Sequence, residues 1–326
     1  MKAAGISGTG SYLPERIVSN KELEKSLDTS DEWIWKHIGI RERRFAEKNQ
    51  PTSHLSLKAA EKALKAAGTS AEELDLIIVA TASPDMPTPS TACILQDKLK
   101  ANKAGAFDLN NACTGFVYGL AAGAKFIADE SCKKVLLVGA ETPHAFMDPK
   151  DRGTYVFFGD GAGAVVLSET EKGRGVLGSY LRSDGSGAMD LGVPGGGTMM
   201  PPSIETIKNR QHFIKMNAQK IKEFVIKAFP DSVHGTLRNA GLKLEDVDMI
   251  IPHQANARLI EYGMKALGLP MEKAFINMHK YGNTIGASIP IALDEAVHEG
   301  KISKGDLVLL VGFGGGLSWG GVALRW

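Results

Sequence analysis

The sequence predicts an α/β protein made of two related halves, each a sheet buried on both faces and covered by helices. Three observations carry this expectation. Val135-Leu136-Leu137-Val138-Gly139 recurs unchanged as Val308-Leu309-Leu310-Val311-Gly312, an offset of 173 residues. The same offset carries Ala67-Gly68 onto Ala240-Gly241 and Leu74-Asp75-Leu76-Ile77-Ile78 onto Val247-Asp248-Met249-Ile250-Ile251. The strand runs are apolar throughout rather than alternating, and they alternate with helical patterns, which is how sheets sandwiched between helices read. The expected halves are residues 1–172 and 173–326.

The elements follow in order. Thr52-Ser53 starts a helix whose apolar stripe is Leu55, Ala59, Ala63 and Ala67, and Gly68 ends it. An acidic turn and the strand Leu74–Ile78 come next. Ala106-Phe107-Asp108-Leu109 reads as a short buried strand, and Phe116, Val117, Leu120, Ala121, Ala124 and Ile127 recur at helical spacing after it. The second half repeats this plan, with His253 closing the strand Met249–Ile251 and Asn283 at a similar strand end. Residues 182–211 break the pattern with Ser183-Asp184-Gly185-Ser186-Gly187, Pro194-Gly195-Gly196-Gly197 and Pro201-Pro202. Such turn chemistry suits a linker or a loop lining a substrate entrance.

At 326 residues the chain is long enough to bury about three quarters of its unfolded surface. Hydrophobic residues at 43% and charged residues at 23% are values of an ordinary globular enzyme. Lys and Arg number 38 against 37 Asp and Glu, so no global field favours nucleic acid or an anionic membrane. Cys93, Cys113 and Cys132 do not form a disulfide framework. Met1–Ile6 lacks a signal-peptide apolar stretch, and no window approaches 18 uninterrupted apolar residues. A cytoplasmic location is expected.

Cys113, in Asn110-Asn111-Ala112-Cys113-Thr114-Gly115, stands where a strand turns into a helix. A thiol in the first turn of a helix meets the positive end of the backbone dipole, which favours thiolate. A packed core cysteine is the alternative for any thiol taken alone. The repeat places Asn283 opposite Asn110 and Gly286 opposite Cys113. A pseudo-twofold axis would bring these turns together at the joint between halves, a common place for a ligand site.

With Cys113, Ile251-Pro252-His253-Gln254-Ala255-Asn256 and Tyr281-Gly282-Asn283-Thr284, the chain resembles the thiolase-like condensing enzymes and, within them, the β-ketoacyl-acyl-carrier-protein synthase III group. The resemblance runs nearly end to end, through Gly8–Pro14, Asp28–Ile34, Gly39–Arg43, Asp151–Thr154, Phe158–Ala164 and Phe313–Gly320. It implies a five-layered αβαβα fold from two βαβαβαββ halves, as a homodimer. It implies a decarboxylative condensation in which Cys113 accepts an acyl group from acyl-CoA and His253 and Asn283 serve malonyl-acyl carrier protein. The backbone of Cys113 and Gly315 would supply the oxyanion donors, and Phe313 an apolar wall beside His253. Trp33 and Arg152 resemble the pair that sandwiches the CoA adenine; Phe158 and Thr88 would bound the acyl site. Arg258 and Lys265 would meet the phosphopantetheine arm and the acidic carrier protein. No metal or cofactor is implied.

The chain departs from the group's pattern at His37, where Arg is common near the adenine, and at Thr88, where acetyl-specific members carry a phenylalanine. The smaller Thr88 points to a longer or branched primer, the alternative being that Met86, Met189 or Leu191 fills the space. Ile285-Gly286 and Leu317 replace a common Ser-Ala and Phe. Chalcone-synthase-type enzymes share Cys, His and Asn but not the loop motifs; hydroxymethylglutaryl-CoA synthases share the fold with Glu among the catalytic residues, and Asn283 argues against them. A relative priming a specialised polyketide pathway, a non-catalytic carrier-protein partner and a cysteine hydrolase complete the alternatives.

Overall fold

The structure, a computed structural model, describes residues 2–326. β1 (Ala3–Tyr12) leads into a small hairpin of β2 (Arg16–Ser19) and β3 (Glu42–Phe45), with α1 (Asn20–Leu23) and α2 (Asp31–His37) between them. α3 (Thr52–Ala67), β4 (Leu76–Ala80), α4 (Thr91–Leu99), β5 (Gly105–Leu109) and α5 (Gly115–Ala128) follow. β6 (Lys134–Glu141), α6 (Arg152–Tyr155) and β7 (Gly161–Thr170) come next. Then β8 (Gly175–Ser183) precedes a segment holding β9 (Leu191–Gly192), α7 (Ile204–Lys208) and β10 (Lys215–Met216). The remainder is α8 (Ala218–Ala240), β11 (Met249–Pro252), α9 (Ala257–Ala266), α10 (Met278–Tyr281), α11 (Ser288–His298), β12 (Leu307–Gly314) and β13 (Ser318–Arg325).

Two sheets result, ordered β1-β7-β6-β4-β5 and β8-β13-β12-β11. β1, β7, β6 and β4 correspond to β8, β13, β12 and β11, and β5 has no counterpart: β4 and β6, like β11 and β12, run parallel, and the other two strands of each set run antiparallel. α3 and α4 cover the outer face of the first sheet, α5 and α11 lie between the sheets, and α8 and α9 cover the second. This is the five-layered arrangement. The valines and leucines of both VLLVG runs are fully buried, as strands covered on both faces must be.

The repeated Ala-Gly stops are helix caps: Gly68 and Gly241 end α3 and α8 with φ of 58° and 67°. That left-handed conformation favours glycine. The glycines of the VLLVG runs serve the joint. A Cβ on Gly139 would stand 2.5 Å from the carbonyl oxygen of Gly286, and one on Gly312 would stand 3.2 Å from Cα of Thr114. Each central strand therefore passes against the other half's turn with no room for a side chain.

Two expectations need correction. β5 is not buried but the edge of its sheet, with Phe107 36% exposed, because only β4 pairs with it. Asn283 does not close a strand either. The place equivalent to β5 is taken by the helical turn α10, and only one bridge, Ile250 to Ala274, lies beyond β11. The 182–211 segment is structured, and its Ala188, Leu191, Gly192 and Val193 line a cavity at Cys113. It therefore belongs to a cavity wall, not to a simple linker.

Candidate active site

Cys113 sits in the single 3-10 turn Ala112–Thr114 that precedes α5. Ala112 takes φ 43°, and Thr114 anchors the turn through its hydroxyl, 2.7 Å from Asn111 Nδ2 and 2.8 Å from Ser318 Oγ. The thiol is 5% exposed. Burial first, and then the charge of Glu141, push it up to about 12, while the backbone N–H groups of Gly315 and of Cys113 itself oppose the shift. The resting group is thus a thiol, although the helix dipole favoured thiolate; desolvation outweighs the dipole here.

His253 follows β11, its N–H donating to Val311 O at 2.7 Å. The imidazole is 1% exposed, and burial lowers its pKa to about 3, so the ring is neutral. Its Nδ1 lies 2.7 Å from Ser288 Oγ. That oxygen also accepts the N–H of Gln254 at 3.3 Å; when the Ser288 hydroxyl donates to Nδ1, the ring's own proton rests on Nε2. The edge of the ring meets Phe313 with centroids 5.4 Å apart, and Phe313 packs on Phe229 at 5.7 Å. Gln254 locks the turn, accepting from Asn277 and Met278 N–H at 3.1 and 3.3 Å and donating to Pro252 and Phe275 carbonyls.

Asn283 is fixed by its backbone, which donates to Phe157 O at 2.8 Å and accepts from Gly159 N–H at 3.0 Å. Its Oδ1 accepts from Ile285 N–H at 2.8 Å, which leaves the amide NH₂ to donate into the site. Gly282 makes the approach possible: φ is 68°, and a Cβ there would stand 2.8 Å from Phe157 O.

Two cavities meet at Cys113. One, of about 520 Å³, is walled by Ala82, Ser83, Phe146, Leu191, Ile214 and Ile285, with Gly315 at its inner end. The other, about 300 Å³, runs from Cys113 past His253, Asn283 and Phe313 to His37, Lys222 and Arg258. Phe158, 4% exposed, lines both. The structure therefore brings Cys113, His253, Asn283, Phe313, Gly315 and Phe158 together, with Arg258 at the outer end. Arg258 donates to the Lys36 and Trp35 carbonyls at 2.9 and 3.4 Å and pairs with Glu261 at 2.6 Å. Lys265 is exposed farther along α9 and lines neither cavity.

Trp33 and Arg152 lie at the surface, the guanidinium 5.3 Å from the indole centroid and held by Asp28 O at 2.7 Å. His37 stacks on Trp33 with centroids 4.7 Å apart. Thr88 is exposed on the Pro87-Thr88-Pro89 segment and lines neither of the two cavities at Cys113. Among the described residues no cluster of three or more His, Cys, Asp or Glu side chains is arranged to hold a metal ion.

Ser288, Gly314 and Glu141 at this site were not singled out from the sequence. Only Glu141 left a signal there, an acidic residue closing a buried apolar strand.

Two family models match the chain: 3-oxoacyl-[acyl-carrier-protein] synthase III over residues 107–185, and the C-terminal model of the same name over residues 237–326. A β-ketoacyl-[acyl-carrier-protein] synthase III from Caldanaerobacter subterraneus subsp. tengcongensis is 50% identical over 99% of this chain and 98% of its own. One from Natranaerobius thermophilus is 48% identical over the whole of both. Among solved structures, 3-oxoacyl-[acyl-carrier-protein] synthase III from Aquifex aeolicus VF5 is 42% identical, with a TM-score of 0.92 over 99% of this chain and 100% of that one.

Proposed function

The chain belongs to the β-ketoacyl-acyl-carrier-protein synthase III family, and on that premise we propose the role of each residue in the reaction that starts fatty-acid synthesis. The protein is an acyltransferase-class condensing enzyme. Cys113 attacks the thioester carbonyl of an acyl-CoA primer. The developing oxyanion takes the N–H groups of Cys113 and Gly315, the two that oppose the upward shift of the thiol. CoA leaves as a thiolate and takes up the proton that the Cys113 thiol gives, so the step is balanced without any other group.

Malonyl-acyl carrier protein then enters along the second cavity. His253 Nε2–H and the Asn283 amide donate to its thioester carbonyl. Negative charge gathers on that oxygen as the carbon–carboxylate bond breaks and CO₂ departs. The apolar face of Phe313 disfavours the charged carboxylate and favours its loss. The enolate carbon attacks the acyl carbon on Cys113, and collapse of the adduct expels the sulfur and frees a β-ketoacyl-carrier protein. Cys113 regains a proton from water. Substrates, side chains and one proton from water account for every electron and proton, so no cofactor enters the proposal.

The acyl chain is assigned to the 520 Å³ cavity, whose volume supports a primer longer than acetyl. The phosphopantetheine arm is assigned to the cavity ending at Arg258, with Lys265 farther out toward an acidic carrier surface and the CoA adenine at Trp33 and Arg152. Halves 1–172 and 173–326 would each supply one side of the site, within a cytoplasmic homodimer. No helix among the described residues is long and apolar enough to cross a membrane.

The observation that carries this reading is one cavity shared by the buried Cys113 thiol, a neutral His253 and Asn283. The test mixes purified protein with acyl-CoA primers of increasing length and malonyl-carrier protein. Expected are an acyl adduct on Cys113 by mass spectrometry, then CO₂ and β-ketoacyl product. Free acid and CoA alone would identify a hydrolase instead, and a strict acetyl preference would overturn the primer assignment.

A further inference from the structure

The residue the reaction leaves unused at the joint is Glu141, which is fully buried. The repeat shows what occupies its place in the other half: position 141 corresponds to Gly314, and position 286 to Cys113. In the working half, Gly314 is bare because the cysteine needs the room; a Cβ there would stand 2.7 Å from the sulfur. In the related half the cysteine is absent, and the space is filled from the other side. Glu141 Oε1 accepts the N–H of Gly286 at 3.4 Å, the counterpart of the Cys113 N–H assigned to the oxyanion.

The same carboxylate accepts the Ala82 N–H at 3.1 and 3.2 Å, the Thr81 hydroxyl at 3.4 Å and the Ser83 hydroxyl. These donors come from the two walls of the larger cavity. Ala82 and Ser83 form one side, and Ile285, the neighbour of Gly286, forms another with φ 48°. A buried carboxylate with this many donors is a fixed anchor, and removing it would leave several buried N–H and O–H groups unpaired.

We propose that Glu141 is a positioning residue for primer transfer: its carboxylate takes the Gly286 N–H, one of the second half's two counterparts of the oxyanion donors, and through its further bonds to Thr81, Ala82 and Ser83 holds both walls of the acyl cavity. This rests on the reading of Cys113 as the acyl acceptor. The consequence is specific, because Glu141 touches the walls that would meet the primer and makes no hydrogen bond to His253 or Asn283, which would serve the malonyl group.

The experiment separates the two half-reactions in Glu141→Gln and Glu141→Ala. Transfer from acyl-CoA to Cys113 is followed for a two-carbon and an eight-carbon primer. Condensation is followed from enzyme acylated beforehand by prolonged incubation. For Glu141→Ala the expected result is at least a tenfold loss in acylation kcat/KM and at least a threefold change in the ratio between primers. Condensation should stay within twofold, and Glu141→Gln should fall between wild type and Ala. A parallel fall in both half-reactions, or an unchanged primer ratio, overturns the proposal. Should both variants fail to fold, Thr81→Val supplies the same reading, since it removes a hydroxyl that donates to the carboxylate at 3.4 Å and that lines neither cavity. Failure of the wild type to acylate at all would instead sink the assignment of Cys113.

Discussion

Cys113 and Gly314 are packed so closely that no side chain fits between them: a Cβ on Gly314 would lie 2.5 Å from the cysteine Cβ and 2.7 Å from its sulfur. Real atoms do not approach this way, so a methyl group must displace the thiol from its place at the turn before α5. Gly314→Ala is expected to slow acyl-enzyme formation at least a hundredfold, the usual scale for a lost oxyanion donor, ~10²–10³. Mass spectrometry of the Cys113 adduct reads this directly, with circular dichroism to show that the fold is kept. Wild-type labelling kinetics in the variant would mean that the contact does not set the thiol's position.

The Ser288–His253 hydrogen bond, 2.7 Å long, makes a prediction about one half-reaction only. Without the hydroxyl, Nδ1 loses its donor, and the proton is no longer held on Nε2, where it faces the malonyl carbonyl. Ser288→Ala should reduce decarboxylation of malonyl-carrier protein by about tenfold, and His253→Ala by ~10²–10³. Acylation of Cys113 should change little in either. Loss of both half-reactions to the same degree would show that His253 also serves the first step.

Acid should destabilise the protein through His253. Burial holds its folded pKa near 3 against an ordinary value of 6.5, so below pH 6.5 the unfolded chain takes up a proton that the folded one refuses. Its contribution to stability is therefore present above that pH and is lost as pH falls toward 3, at up to about 1.4 kcal/mol per pH unit. Glu141 works in the opposite direction, since burial raises its carboxyl to about 7. Comparison with His253→Gln isolates the histidine: denaturation midpoints of wild type should fall more steeply below pH 6.5 than those of the variant. Parallel curves would exclude a buried neutral imidazole.

The double architecture was legible because one constraint, a strand covered on both faces, left the same pentapeptide in both halves. The Cys113 and Asn283 turns were legible through that offset. Harder to see was anything that depends on an orphan partner. Arg43 is fully buried, its guanidinium bonded to the Val18 and Val156 carbonyls and to Asn20, and burial lowers it to about 10. In the sequence it reads as one more surface cation. Ser288 starts a helix, where serine is unremarkable, and only the fold puts His253 beside it. The error over Asn283 has the same origin: the repeat predicted a strand before it, but Met278–Tyr281 form a helical turn, and the offset alone carries no information on a substituted element.

The CoA end makes the last prediction, and it is one of access. Arg152 lies 5.3 Å from the Trp33 centroid, whereas a base inserted between two flat groups needs about twice a stacking distance, roughly 7 Å. The guanidinium must therefore swing away when the adenine binds, releasing its bond to Asp28 O. Stacking on an aromatic ring contributes about 1–3 kcal/mol per base, so Trp33→Ala should raise KM for acyl-CoA some five- to hundredfold and leave kcat nearly constant. An acyl thioester of N-acetylcysteamine, which carries no nucleotide, supplies the control. It should be used equally well by wild type and Trp33→Ala. A loss with both donors would place Trp33 in the support of the fold around α2 and not in recognition of the nucleotide.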